Sequence, residues 1–134
     1  MAAEYTAIAA QAVAVGGVVV YTETAVHPCS CYIHHRDGSG TVTLKHGRYL
    51  VTFGANVSVG TAASAASLAL AIDGEPITSS TMTATSVAAN DLNNIAGSIF
   101  VDVPCNCCYR ISVENVGTLA TNVVNANLIV ERVG

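Results

Sequence analysis

Five cysteines and four histidines are the residues of this chain best able to ligate a metal, form a cross-link or supply a nucleophile with its base. The cysteines fall in two groups, Cys29 with Cys31 and Cys105 with Cys107 and Cys108, and His27, His34 and His35 flank the first group. A structural zinc site needs four such ligands at tetrahedral spacing. The runs here are Cys-x-Cys and Cys-x-Cys-Cys rather than the Cys-x2-Cys of zinc knuckles. In a strand, positions i and i+2 share a face about 7 Å apart, too far to chelate one ion unless a turn folds them together. Disulfides are therefore the favoured reading for Cys29, Cys31, Cys105, Cys107 and Cys108, provided the protein works in an oxidising setting. Zinc ligation and free buried thiols remain as alternatives. Five is odd, so at least one cysteine is unpaired or bonds another chain.

Other chemistry is sparse. The four histidines could meet where copies of the chain come together, but side chains of this kind are more often polar groups on loops and strand faces. Asp37-Gly-Ser-Gly40 signals a turn; no Lys-Ser/Thr follows at the spacing of a phosphate loop. Asp73-Gly74 is a second turn, and the Asn90–Asn94 stretch lacks the ligand pattern of a calcium loop. No serine sits in a nucleophile elbow, and His27 beside Cys29 has no recognisable orienting partner. The expectation is no enzyme and no cofactor.

The elements that would carry these residues are strands. Val42 and Leu44 alternate with Thr41, Thr43 and Lys45; after Gly47, Tyr49, Val51 and Phe53 alternate with Arg48, Leu50 and Thr52. Period-2 patterning marks half-buried strands, here two of them hinged at the glycine as a central hairpin. Residues 11–15 and 17–22 read as a pair broken by Gly16-Gly17, and 31–35 as a short strand. Residues 61–67 read as a loop or a strand, 77–87 as extended and 89–94 as a loop. Leu68, Leu70 and Ile72 alternate before the Asp73-Gly74 turn. Ile99, Val101 and Val103 point one way, Phe100 and Asp102 the other; Tyr109, Ile111 and Val113 then alternate with Arg110, Ser112 and Glu114, closing a hairpin through the Pro104 turn. Ala126, Leu128 and Val130 share one face of the last strand. The candidate core or interface set is Tyr49, Val51, Phe53, Tyr109, Ile111, Val113, Leu128 and Val130. The total, eight to ten antiparallel strands with turn signals between them, predicts an all-β jelly-roll sandwich. It is read as one domain over residues 1–134, with 1–10 either part of it or a flexible N-terminal arm.

Composition agrees with strands and narrows the partners. There are 19 Val, 13 Thr and no Trp. Charged residues make up 10%, against roughly a quarter in an average domain. A surface so poor in charge suggests cover by a partner, most simply by further copies. Net charge is −4 with one lysine, which argues against nucleic-acid binding. No apolar run approaches the ~20 residues of a membrane span, and Met-Ala-Ala-Glu-Tyr lacks the basic start of a secretory signal.

The order Gly-Ser-Gly-Thr-Val-Thr-Leu, Gly-Arg-Tyr-Leu-Val-Thr-Phe, Leu-Ala-Leu-Ala-Ile-Asp-Gly-Glu-Pro, Gly-Ser-Ile-Phe-Val-Asp-Val, Tyr-Arg-Ile-Ser-Val-Glu-Asn and Asn-Ala-Asn-Leu-Ile-Val-Glu-Arg-Val-Gly spans nearly the whole chain. It resembles the tumour-necrosis-factor-like and complement-q-head-like jelly rolls. The likeness is to the C-terminal heads of bacterial collagen-like spore-surface proteins and to related phage structural proteins. The resemblance implies a ten-stranded jelly roll, a tight homotrimer, and exposure on a virion, spore or bacterial cell surface. The role it implies is structural or adhesive: a head decoration, head fibre or tail component of a phage. The alternatives are a spore or cell-surface head, or a lectin-like module binding a host glycan or receptor. Further structural proteins of the particle are implied as partners. The chain departs from the collagen-like proteins in having no Gly-X-Y repeat ahead of the head, and it carries more cysteines than the fold needs.

Overall fold

Apolar residues at every second position can be buried together only if each strand lays one face against a second sheet. The computed structural model, which describes residues 2–27, 32–105 and 108–134, arranges twelve strands in this way. They are β1 (Ala2–Ala7), β2 (Gln11–Val13), β3 (Glu23–Val26), β4 (Ile33–His35), β5 (Val42–Leu44), β6 (Gly47–Ser58), β7 (Ser64–Ile72), β8 (Glu75–Pro76), β9 (Met82–Ser86), β10 (Asn93–Val103), β11 (Tyr109–Asn115) and β12 (Thr121–Arg132), with one 3-10 turn at Thr78–Ser80. One six-stranded sheet runs β10-β6-β12-β1-β3, with β2 also on β12; the other runs β4-β5-β11-β7-β8, with β9 also on β7. Every pairing is antiparallel. No helix is long and apolar enough to cross a membrane.

The sheets close on one core. Tyr49, Val51 and Phe53 of β6 and Leu128 and Val130 of β12 are fully buried from one side, and Val42, Leu44, Leu68, Ile111 and Val113 from the other. Of the eight candidate core or interface residues seven are buried, and Tyr109 is half-buried against the same cluster. Their alternation therefore marks the core, and the outward positions between them face away from it.

Several local expectations change. The segment read as a possible flexible arm is β1, paired to β12 along its length and to β3 on its other edge, with Ala3, Tyr5 and Ala7 in the core. Residues 11–15 and 17–22 form no hairpin: β2 joins β12, while Val18 makes an isolated bridge to Glu114. The hinge at Gly47 is a corner rather than a hairpin, because β5 and β6 belong to opposite sheets. The same holds for 99–103 and 109–113, where β10 pairs β6 and β11 pairs β5 and β7. Alternation fixes which face of a strand is buried and says nothing about which sheet it joins. Residues 61–67 become strand from Ser64 onward, and Asn93 and Asn94 open β10 instead of ending a loop. Across β12 the register shifts between Val124 and Asn127, with Asn125 in the left-handed region (φ 53°). This bulge lets Val123 and Ala126 share the core face although they are three apart.

Candidate subunit interface and the two ends of the sandwich

The outward face of the β10-β6-β12-β1 sheet is built from the residues between the core positions. Register places Phe100 beside Leu50, and Leu50 beside Glu131. The next row is Ser98, Thr52, Ile129, Glu4 and Val26. A third row carries Ala96, Gly54, Asn127 and Thr6. Phe100 is 69% exposed, Val26 47% and Ile129 37%. Of the chain's two phenylalanines, one is thus core and the other stands on an open sheet. The charged groups are few: Arg48 pairs with Asp102 at 3.3 Å on one border, Glu131 stands beside Leu50, and the Glu4 carboxylate accepts a hydrogen bond from the Asn127 amide. The apolar, hydroxyl and amide residues between them form a flat, weakly charged field. Sequence reasoning named the core-facing set as core or interface and did not single out Phe100, Leu50 and Ile129. Their signal was an apolar residue at the position where alternation calls for a polar one.

One end of the sandwich gathers part of the cysteine chemistry. Cys105 and Cys108 are exposed free thiols; Cys29, Cys31 and Cys107 lie outside the described residues. Cys105 shares a cleft of about 370 Å³ with His46, Gly47, Arg48 and Asp102. Beside it, Tyr32 takes the His46 ring edge-on at 5.4 Å and the Arg132 guanidinium over its face at 4.2 Å. The Tyr49 hydroxyl donates to the Lys45 carbonyl at 2.7 Å. Burial pushes the Tyr49 phenol up, against the lowering pull of Arg132, and nearby Cys108 adds to the rise. Gly47 permits this packing: its φ is +140°, and a Cβ there would stand 2.7 Å from Arg132 Nε. Among the described residues no three His, Cys, Asp or Glu side chains are grouped to hold a metal ion.

The histidines are not brought to one point. His34 and His35 lie on β4, at the other end of β5 from His46, and His27 is an exposed residue after β3. His35 turns inward. Its ring packs on Tyr5 at 4.5 Å and edge-on to Tyr21 at 6.0 Å, and its Nε2 lies 2.9 Å from the Ser39 carbonyl oxygen. The hydroxyls of Tyr5 and Tyr21 and the Nδ1 of His35 are buried without a hydrogen-bond partner among the described residues. Burial pushes the Tyr5 phenol up to about 12 and the Tyr21 phenol higher.

No family model matches the chain, and no curated protein matches it. Solved structures do. The globular domain of zebrafish complement 1qA superposes with a TM-score of 0.71 at 12% identity, covering 99% of this chain and 97% of that one. The Eiger tumour necrosis factor of S. frugiperda gives 0.73 at 13% identity over 100% and 92%. Murine APRIL gives 0.67 at 10% identity over 97% of each chain. At such identities the likeness is one of architecture. Two antiparallel sheets in this strand order, matched end to end by these heads, give the chain the jelly-roll fold of the tumour necrosis factors and the complement-q heads.

Proposed function

We propose that the chain is a non-enzymatic structural or adhesive module, one domain over residues 1–134, that works as a homotrimer packed through the outward face of the β10-β6-β12-β1 sheet. The observation that carries the reading is Phe100. It stands 69% exposed beside Leu50 on a sheet face made mostly of apolar, hydroxyl and amide side chains. Burying a phenylalanine side chain is favourable by about 1.5–3 kcal/mol, and a closed ring of copies buries one such field per chain. The sequence resemblance to trimeric heads supports three as the number. Its likeness to phage structural proteins supports the outer surface of a virion as the setting, where the module would dock on other particle proteins; a spore or cell surface is the second setting that resemblance allows.

Sedimentation equilibrium of the whole chain tests the assembly. Three chains per particle are expected at low micromolar concentration. Phe100→Glu should release monomers with unchanged strand content, since the side chain it replaces packs on nothing in its own core. A wild-type protein that sediments as a stable monomer would overturn the reading.

A further inference from the structure

The cleft beside the β4–β5 hairpin has no part in the proposed assembly, which uses the other sheet. It encloses about 310 Å³ and is lined by His34, His35, Arg36, Ser39, Thr41 and Thr43. Each lining side chain is polar: two imidazoles, a guanidinium and three hydroxyls. No carboxylate lines it, although the chain carries nine acidic against five basic residues. Asp37, next in sequence to Arg36, accepts a hydrogen bond from the Thr24 hydroxyl at 3.2 Å instead.

The elements hold these groups in place. His34 lies opposite Thr43 in the β4–β5 register. The connecting turn is closed by Ser39 N–H donating to the Arg36 carbonyl at 2.9 Å. It is anchored to the strand-like segment beneath it, with Gly38 N–H donating to the Tyr21 carbonyl at 2.8 Å and Tyr21 N–H to the Ser39 carbonyl at 3.2 Å. The Ser39 hydroxyl accepts from Thr41 N–H at 3.1 Å and lies 3.1 Å from the Thr41 hydroxyl. His35, fixed by Tyr5 and the Ser39 carbonyl, forms one wall. Within this frame the side chains of His34, Arg36 and Thr43 have no partner among the described residues. They are exposed or half-exposed donors beside one another that no protein acceptor among the described residues occupies.

We propose that this cleft is a binding site for the oxyanion group, carboxylate or sulfate, of an acidic saccharide. The guanidinium fork matches a planar carboxylate or two sulfate oxygens bidentately. The hydroxyls of Ser39, Thr41 and Thr43 both donate and accept, which suits the hydroxyls of a sugar ring. The volume is at the low end of ligand pockets, enough for one sugar unit rather than a long chain. No Phe, Tyr or Trp ring lines the cleft. The inference goes beyond the assembly reading, since a chain that failed to self-associate would still present the cleft.

Titration of the isotope-labelled full chain with N-acetylneuraminate and with a glucuronate glycoside, followed by backbone amide shifts, is the test. Saturable shifts are expected at residues 34–43, with N-acetylglucosamine as the neutral control giving none. Arg36→Gln should weaken binding about tenfold, the worth of one charge-assisted contact, and Thr43→Val less; both side chains are free of internal bonds, so the fold is unaffected. Unchanged affinity in Arg36→Gln, or equal shifts from the neutral sugar, would overturn the proposal. Inorganic sulfate that reproduces the full affinity would overturn its saccharide part. The sedimentation result is independent of each of these outcomes.

Discussion

Tyr5 and Tyr21 show what single residues contribute beyond volume. Both are core residues with hydroxyls that reach no partner among the described residues, and both phenols are pushed up by burial. A phenol whose native value is raised holds its proton more tightly in the folded chain than in the unfolded one. Its contribution is therefore complete below the unfolded value near pH 10 and is lost as pH rises through the native value, about 12 for Tyr5. The urea midpoint should accordingly stay level up to about pH 10 and fall between there and about pH 12. Tyr5→Phe should remove part of that fall and cost little at neutral pH, because it deletes a buried hydroxyl that bonds nothing. An alkaline limb identical in Tyr5→Phe would exclude Tyr5 as its source. Other residues of this kind were opaque in the sequence. Gln11 is a polar residue in a largely apolar stretch. In the fold its side-chain amide donates to the Val20 carbonyl and accepts from Val20 N–H, both at 2.9 Å, the two bonds a neighbouring strand would make. Asn115 likewise donates to the Val13 and Leu119 carbonyls and accepts from Gly117 N–H. Each bond depends on how the loops fold back, and the Val13 partner of Asn115 lies 102 positions away, which no local pattern encodes. The cleft was hidden for a related reason: Arg36 is an unremarkable turn residue until the turn folds it beside His34 and Thr43.

At the scale of elements, the strands were legible and their pairing was not. Period-2 alternation located β5, β6, β10, β11 and β12 and oriented each correctly, because half-burial demands it. It could not tell a hairpin from a corner, and both predicted hairpins, at Gly47 and across Pro104, turned out to cross between sheets. Glycine was the available clue, since corners and close approaches need it. Gly40 is such a point. A Cβ there would stand 2.5 Å from Val18 Cγ2 and 2.9 Å from the Val19 carbonyl oxygen. The side chain could rotate away, but the backbone oxygen belongs to a segment bonded to Val113. Gly40→Ala should therefore destabilise by about 1–3 kcal/mol, the usual cost of overpacking. Urea unfolding should show a lower midpoint at unchanged slope. An unaltered midpoint would mean that the 17–22 segment slides freely on the turn, and with it that the cleft above is not held rigidly.

The whole molecule brings together what the sequence keeps 70 residues apart. The Tyr32 carbonyl, one residue past Cys31 in sequence, accepts from the Tyr49 hydroxyl at 3.4 Å, at the end of the sandwich where Cys105 and His46 share a cleft. Tyr32 and Cys105, described residues of the two stretches, are therefore carried to one end. That convergence could be posed from sequence only as a condition, because it depends on β4 and β11 lying on either side of β5 in one sheet. Cys105 and Cys108 are exposed and free, and so available to oxidise. A disulfide needs Cα atoms within about 7 Å. Cys107 and Cys108 are adjacent and so should not share one partner. We expect chains purified under oxidising conditions to carry at least one bond joining Cys29 or Cys31 to the Cys105–Cys108 group, worth about 2–4 kcal/mol through restriction of the unfolded chain. The odd fifth thiol should then stay free or link two subunits, the latter appearing as a reducible dimer band in denaturing gels. Non-reducing peptide mass mapping reads the connectivity directly. Five free thiols after oxidation would remove the cross-link, and stoichiometric zinc released on denaturation would mean that the same end of the molecule is held by a metal instead.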